Sequence, residues 1–98
     1  MNLVAIAGNL TKDAEYKIGS TGIPMCRFPV AVNKRYKGNE QVSFFDVVIF
    51  DQVADALKQY LVVGKLVLIE GELKQIRWEE GGQNKSRVEI VGRKVDFV

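Results

Sequence analysis

Residues 42–73 read VSFFDVVIFDQVADALKQYLVVGKLVLIEGEL, and the fold turns on how this stretch divides. Residues 42–50 form a strand: Phe45, Val47 and Ile49 point one way, and Phe44, Asp46, Val48 and Phe50 point the other. Residues 51–61 are the one convincing helix, with Asp51 as N-cap and Val53, Leu57, Tyr60 and Leu61 on a single stripe. Gly64 lies where it helps to end that helix. Strand character resumes over residues 66–73, with Gly71 marking a bulge.

Upstream, residues 3–7 are an aliphatic run ending at Gly8-Asn9, a strand followed by a turn. Its apolarity is almost continuous, which predicts burial on both faces, either under the chain's own loops or against another subunit. A short extended piece around residues 16–18 leads into the loop Gly19-Ser20-Thr21-Gly22. In residues 26–32, Cys26, Phe28, Val30 and Val32 alternate with Arg27, Pro29 and Ala31, the period of a half-buried strand. Pro29 predicts an edge or a bulge there. Residues 34–41, polar around Gly38-Asn39, are a hairpin tip. Downstream, residues 79–84 form a second tip, residues 87–91 a fifth strand, and residues 94–98 an extension that pairs onward.

Three strands, one helix and two more strands are the order of an OB-fold: an all-β, five-stranded Greek-key barrel with its helix between strands 3 and 4. With 98 residues, residues 1–98 are expected to be one domain whose modest core favours oligomerisation. The absence of histidine and the single cysteine, Cys26, remove the usual zinc sites and the His-assisted nucleophiles, so neither a metal, a cofactor nor an enzyme is expected. Gly64-Lys65 lacks the rest of a P-loop, and Glu79-Glu80 is a solvated turn. Cys26 and Phe28 are expected in the core, while Phe50 stays open between core and surface. No apolar run reaches membrane-spanning length and residues 1–8 do not resemble a signal peptide, so a cytoplasmic location is expected.

The net charge of +2 is unevenly spread: residues 1–39 hold six basic against two acidic groups. Cations and rings occur together. Tyr36 sits among Lys34, Arg35 and Lys37 on the first hairpin, and Lys74, Arg77, Lys85 and Arg87 flank Trp78 on the second. Flat rings for unstacked bases beside a basic groove for phosphates are what single-stranded nucleic acid requires.

The stretch Gly8-Asn9-Leu10-Thr11-Lys12-Asp13-Ala14-Glu15, the strand over residues 43–50, and Tyr60-Leu61, Gly64 and residues 67–73 resemble, in order and spacing, the bacterial single-stranded DNA-binding protein family. Ala14 replaces the family's usual proline, and Asp46 stands where members often carry a basic residue. The resemblance implies a homotetramer built from dimers, bound to single-stranded DNA in a bacterial, nucleoid-associated setting. Bases would stack on Tyr36, Phe44, Phe50 and Trp78, and phosphates would meet Lys34, Arg35, Lys37, Lys74, Arg77, Lys85 and Arg87. The first strand, with Leu3, Val4, Ala5 and Ile6, and Phe45 would supply subunit contacts. Members commonly continue into a linker and an acidic tip that recruits replication and repair proteins; the resemblance covers the family's binding core, and an isolated core and a minimal relative both stay open. Two other classes stay open: a dimeric, tail-less primosomal accessory protein, and an adaptor whose Phe44 and Trp78 form an apolar patch for protein.

Overall fold

A computed structural model describes residues 1–98. Its elements in chain order are β1 (Val4–Leu10), β2 (Glu15–Ile18), β3 (Pro24–Tyr36), β4 (Asn39–Phe50), α1 (Asp51–Leu57), β5 (Leu66–Glu80) and β6 (Gln83–Phe97). The sheet runs β1-β5-β6-β4-β3-β2, and β1 also pairs with β3, closing β1, β5, β6, β4 and β3 into a five-stranded barrel. This is the OB-fold that the strand order predicts. The short β2 is a sixth strand laid against the free edge of β3, with Glu15 opposite Arg27 and Ile18 opposite Pro24.

Side-chain alternation explains the closure. Cys26, Phe28 and Val30 of β3, Val47 and Ile49 of β4, Val67 and Ile69 of β5 and Ile90 of β6 all turn inward and are fully buried. Each such aliphatic or aromatic side chain contributes about 1.5–3 kcal/mol. Leu10 and Leu61 complete the core, and α1 closes one end of the barrel with Ala54 buried and Val53 and Leu57 packed alongside.

Glycine permits the two tight corners. A Cβ on Gly8 would collide with the Ala31 carbonyl oxygen, where β1 passes from β5 to β3. A Cβ on Gly71 would collide with the Val91 carbonyl oxygen, at the register shift between Glu70 and Gly71 that sequence patterning assigns to a bulge. Pro29 lies where β3 leaves β2 and meets β1; its carbonyl accepts from Thr11 N at 3.1 Å, and its missing N–H costs no ladder bond.

Several boundaries differ from expectation. The first strand continues through Gly8-Asn9 to Leu10. The helix ends at Leu57, because the following segment is tied to β1 and its exit: Ala14 N donates to Leu61 O, Gly64 N to Leu10 O, and Val63 N to Asp13 Oδ1. Tyr60 is consequently exposed, edge-on to Phe97, and Leu61 is buried from outside the helix. Asp51 is not the N-cap. Phe50 takes that position in extended conformation with no side-chain cap, and Asp51, at φ +59°, makes the turn from strand to helix. Both hairpin tips are tighter than the expected loops, reduced to Lys37-Gly38 and Gly81-Gly82. All four of these residues have positive φ, the two-residue turn that matches strand twist.

Candidate nucleic-acid interface

The pairing registers decide which side chains share a face. On the β3–β4 hairpin, Arg27 lies opposite Val48, Pro29 opposite Asp46, Ala31 opposite Phe44 and Met25 opposite Phe50. These residues alternate with the buried ones and therefore face outward. β4 runs parallel to β6 with Val48 opposite Val91, so the outer face continues onto β6 through Val91, Glu89, Arg87 and Lys85. It continues onto β5 through Lys74, Ile76 and Trp78, opposite Glu89, Arg87 and Lys85 respectively.

One face therefore gathers Phe44, Phe50 and Trp78 with Arg35, Lys74, Lys85 and Arg87. Phe44 is 67% exposed, Trp78 38% and Phe50 36%, whereas Phe28 is fully buried. Phe50, open between core and surface in the sequence, is a surface ring.

Tyr36, Lys34 and Arg77 fall on the opposite faces of their hairpins. Tyr36 pairs with Asn39 and Lys34 with Gln41, in step with the inward positions, and Arg77 pairs with Ser86 beside Trp78 but with reversed parity. Arg77 Nε and Nη2 both donate to Gln75 Oε1, at 3.2 and 3.0 Å. Both hairpins project beyond the core, so these side chains are exposed; Tyr36 is 55% accessible with Lys37 Nζ 5.4 Å from its ring centre.

Neighbouring side chains meet both the edge and the face of the Trp78 ring. Its Nε1–H donates to Glu80 Oε2 at 3.2 Å, and that carboxylate also meets Lys85 Nζ at 3.4 Å. The Arg87 guanidinium carbon lies 5.7 Å from the ring centre. An open hollow of about 560 Å³ adjoins the ring, lined by Gln75, Arg77, Trp78, Asn84, Lys85 and Ser86. Every residue in that lining is polar except the tryptophan, a composition suited to a base and its phosphate.

Sequence patterning missed Arg27 and Glu89. Arg27 Nη2 reaches across β4 to Glu89 Oε2 at 3.2 Å, and Glu89, only 4% exposed, also lies 3.9 Å from Arg87 Nη2. Alternation marks both as outward polar positions; nothing in the sequence pairs residues 62 apart on non-adjacent strands.

The first-strand run divides. Val4 and Ile6 pack against the barrel core, so the core accounts for their apolar character. Leu3, 65% exposed, Ala5 and Ala7 remain outside, next to Leu66 and Leu68 on β5. Phe45 shares the inward parity of Val47 and Ile49 at the barrel rim and keeps 38% of its surface accessible.

No helix is long and apolar enough to cross a membrane. A closed barrel with α1 between β4 and β5 and two long hairpins defines an OB-fold protein with an aromatic and basic outer face. The chain belongs to the single-strand binding protein family, whose model matches residues 1–98. It is 45% identical to the single-stranded DNA-binding protein of Treponema pallidum, over 100% of this chain and 58% of that protein. It is 35% identical to that of Borreliella burgdorferi, over 92% of this chain and 64% of that protein. The chain thus spans about three fifths of the length of these relatives. A solved Plasmodium falciparum SSB complex with ssDNA shares the fold, with a TM-score of 0.91 and 22% identity over 100% of this chain and 95% of that one.

Proposed function

We propose that this chain binds single-stranded DNA without catalysis and with little regard to sequence, protecting transient single strands during replication, recombination and repair. The observation that carries the proposal is the clustering of Phe44, Phe50 and Trp78 with Arg35, Lys74, Lys85 and Arg87 on one outer face. Unstacked bases lie on the rings, each stack contributing about 1–3 kcal/mol whatever the base, while the cations release counterions from the phosphates. Tyr36, Lys34, Lys37 and Arg77 extend the surface to the far sides of the projecting hairpins, so a strand that leaves the outer face still meets one ring and three cations.

The working form is a homo-oligomer, a dimer of dimers, in which Leu3, Ala5 and Ala7 with Leu66 and Leu68 cover the corresponding surface of a second copy. Phe45 adds to subunit contacts at the rim. Several binding faces then engage one strand, and linkage raises the overall affinity. Replication and repair proteins are the expected partners of the assembly.

Fluorescence anisotropy of labelled oligo-dT, oligo-dA and oligo-dC, with a duplex of equal length as competitor, tests the proposal. Binding of all three single strands and weak competition by the duplex is the expected result. Equal competition by duplex, or no binding, contradicts it. Light scattering gives the assembly state, with a tetramer expected.

A further inference from the structure

The outer face holds one feature that stacking and phosphate binding do not themselves require: a buried carboxylate at its centre. Glu89, on β6, has three cations around it. Arg27 reaches it from β3 at 3.2 Å, Arg87 lies two residues away on its own strand at 3.9 Å, and Lys74 is its cross-strand partner on β5. To make the first contact the Arg27 side chain crosses β4 over Val48, which faces outward and is nevertheless fully buried. Its side chain remains about one third exposed, and its buried Nε–H has no hydrogen-bond partner.

We propose that Arg27 is a phosphate contact at the centre of the outer face and that Glu89 is the residue that positions it beside Arg87. This rests on the single-strand reading above. A buried ion pair is a poor source of stability, since apolar side chains of similar volume do as well or better, and the neighbouring Val48 and Val91 show that apolar residues suit this surface. What the pair supplies is geometry: one carboxylate accepts a hydrogen bond from Arg27 and lies 3.9 Å from Arg87, on two strands that do not pair, and the outer edges of both guanidinium groups are left for an acceptor from solvent. Around Glu89 itself the cations, Arg27, Arg87 and Lys74, outnumber the carboxylate. Asp46 and Glu15 flank Arg27 on its β4 and β2 sides, with Lys12 and Asp13 lining the same hollow, so an approaching phosphate is directed to the side shared with Arg87. A strand path from Trp78 over Arg87 to Arg27 follows.

The test is the salt dependence of oligo-dT binding by the unaltered chain, by Glu89→Gln, and by Arg27→Gln combined with Glu89→Gln. The double variant removes the buried charge together with its partner, and a melting curve confirms that it folds. The slope of log affinity against log salt should be shallower in the double variant than in the unaltered chain by about 0.7, the value for one phosphate on a single strand, and Glu89→Gln, which releases Arg27 from its position, should already show part of that loss. Equal slopes overturn the proposal and leave Arg27 as a structural partner of Glu89. As a check without substitutions, the ¹⁵N–¹H signal of Arg27 Nε should move when oligo-dT is added; a signal that stays fixed while those of Arg87 Nε and Trp78 Nε1 move overturns it too. Failure of the unaltered chain to bind oligo-dT overturns the parent reading along with this one, so the two failures are distinguishable.

Discussion

Arg87 stands over the ring of Trp78, its guanidinium carbon 5.7 Å from the ring centre, while Glu80 holds the indole N–H at 3.2 Å. A large aromatic on a projecting hairpin is thereby oriented without being covered. The side chain that touches its face is a cation able to take a phosphate, so one base and its phosphate can meet adjacent groups on opposite strands of the same hairpin.

Trp78→Ala should lower oligo-dT affinity about 5- to 150-fold, the equivalent of one stacked base. Because the ring lies outside the core, the melting temperature should scarcely move. Anisotropy titration and a melting curve on the same sample check both parts; a large stability loss with unchanged affinity would reassign Trp78 to structure.

Asp46 is an exposed carboxylate on the outer face, opposite Pro29 and two residues from Phe44. Under the proposed binding it would repel a phosphate passing this side of β4. Asp46→Arg should raise affinity and steepen the salt slope by up to about 0.7. An unchanged slope would show that the strand does not pass this side of β4.

Alternation is local, so it places Phe28 and Cys26 inside; on residues 42–50, apolar on both faces, it separates Phe44 from Phe45 without saying which side is inward, and a glycine within a strand pattern marks the bulge at Gly71. Sequence patterning does not fix the hairpin tips, because Lys34–Gln41 and Glu79–Asn84 are polar along their whole length and polarity marks strand arms beyond a core as readily as loops. With the first tip set that wide and the strand over residues 66–73 ended short of the second, no parity is carried to Tyr36 or to Arg77 and Trp78. Sequence spacing predicts a helix four residues longer than α1 because Leu61 keeps helical period, whereas its backbone carbonyl is taken by Ala14 N. The Arg27–Glu89 contact depends on β4 lying between β3 and β6, a tertiary fact that no local pattern encodes.

Gly71→Ala should destabilise the barrel by about 1–3 kcal/mol or more, since the new methyl meets the Val91 carbonyl rather than a yielding side chain. Denaturant unfolding measures the loss. Gly19→Ala, at a loop position where the methyl has room and φ is not positive, is the control and should change little.

Tyr16 Oη donates to Asp55 Oδ1 at 2.9 Å and Lys58 Nζ donates to the same oxygen at 3.2 Å, joining β2 to α1. The Tyr16 bond first, then the Lys58 bond, hold the Asp55 carboxyl below the usual carboxylate range. A carboxyl lowered by folding adds stability above its unfolded pKa and loses it as pH falls through the folded value. The stability difference between the unaltered chain and Asp55→Asn should therefore shrink between pH 7 and pH 3. A constant difference would contradict the role of the charge.

Burial pushes the Cys26 thiol up, with Sγ 3.5 Å from the Ala54 carbonyl oxygen beneath α1. A thiol-specific reagent should react slowly with the folded protein at pH 8 and rapidly in denaturant. Equally fast reaction in both would show that α1 opens readily.

Trp78 is the single tryptophan, so its emission reports directly on the surface assigned to bases. Titration of the protein with oligo-dT at a series of salt concentrations should quench that emission strongly, with affinity falling along log salt by about 0.7 per phosphate engaged. Unchanged emission at saturating oligo-dT, or an affinity indifferent to salt, would contradict binding by ring stacking and phosphate contact.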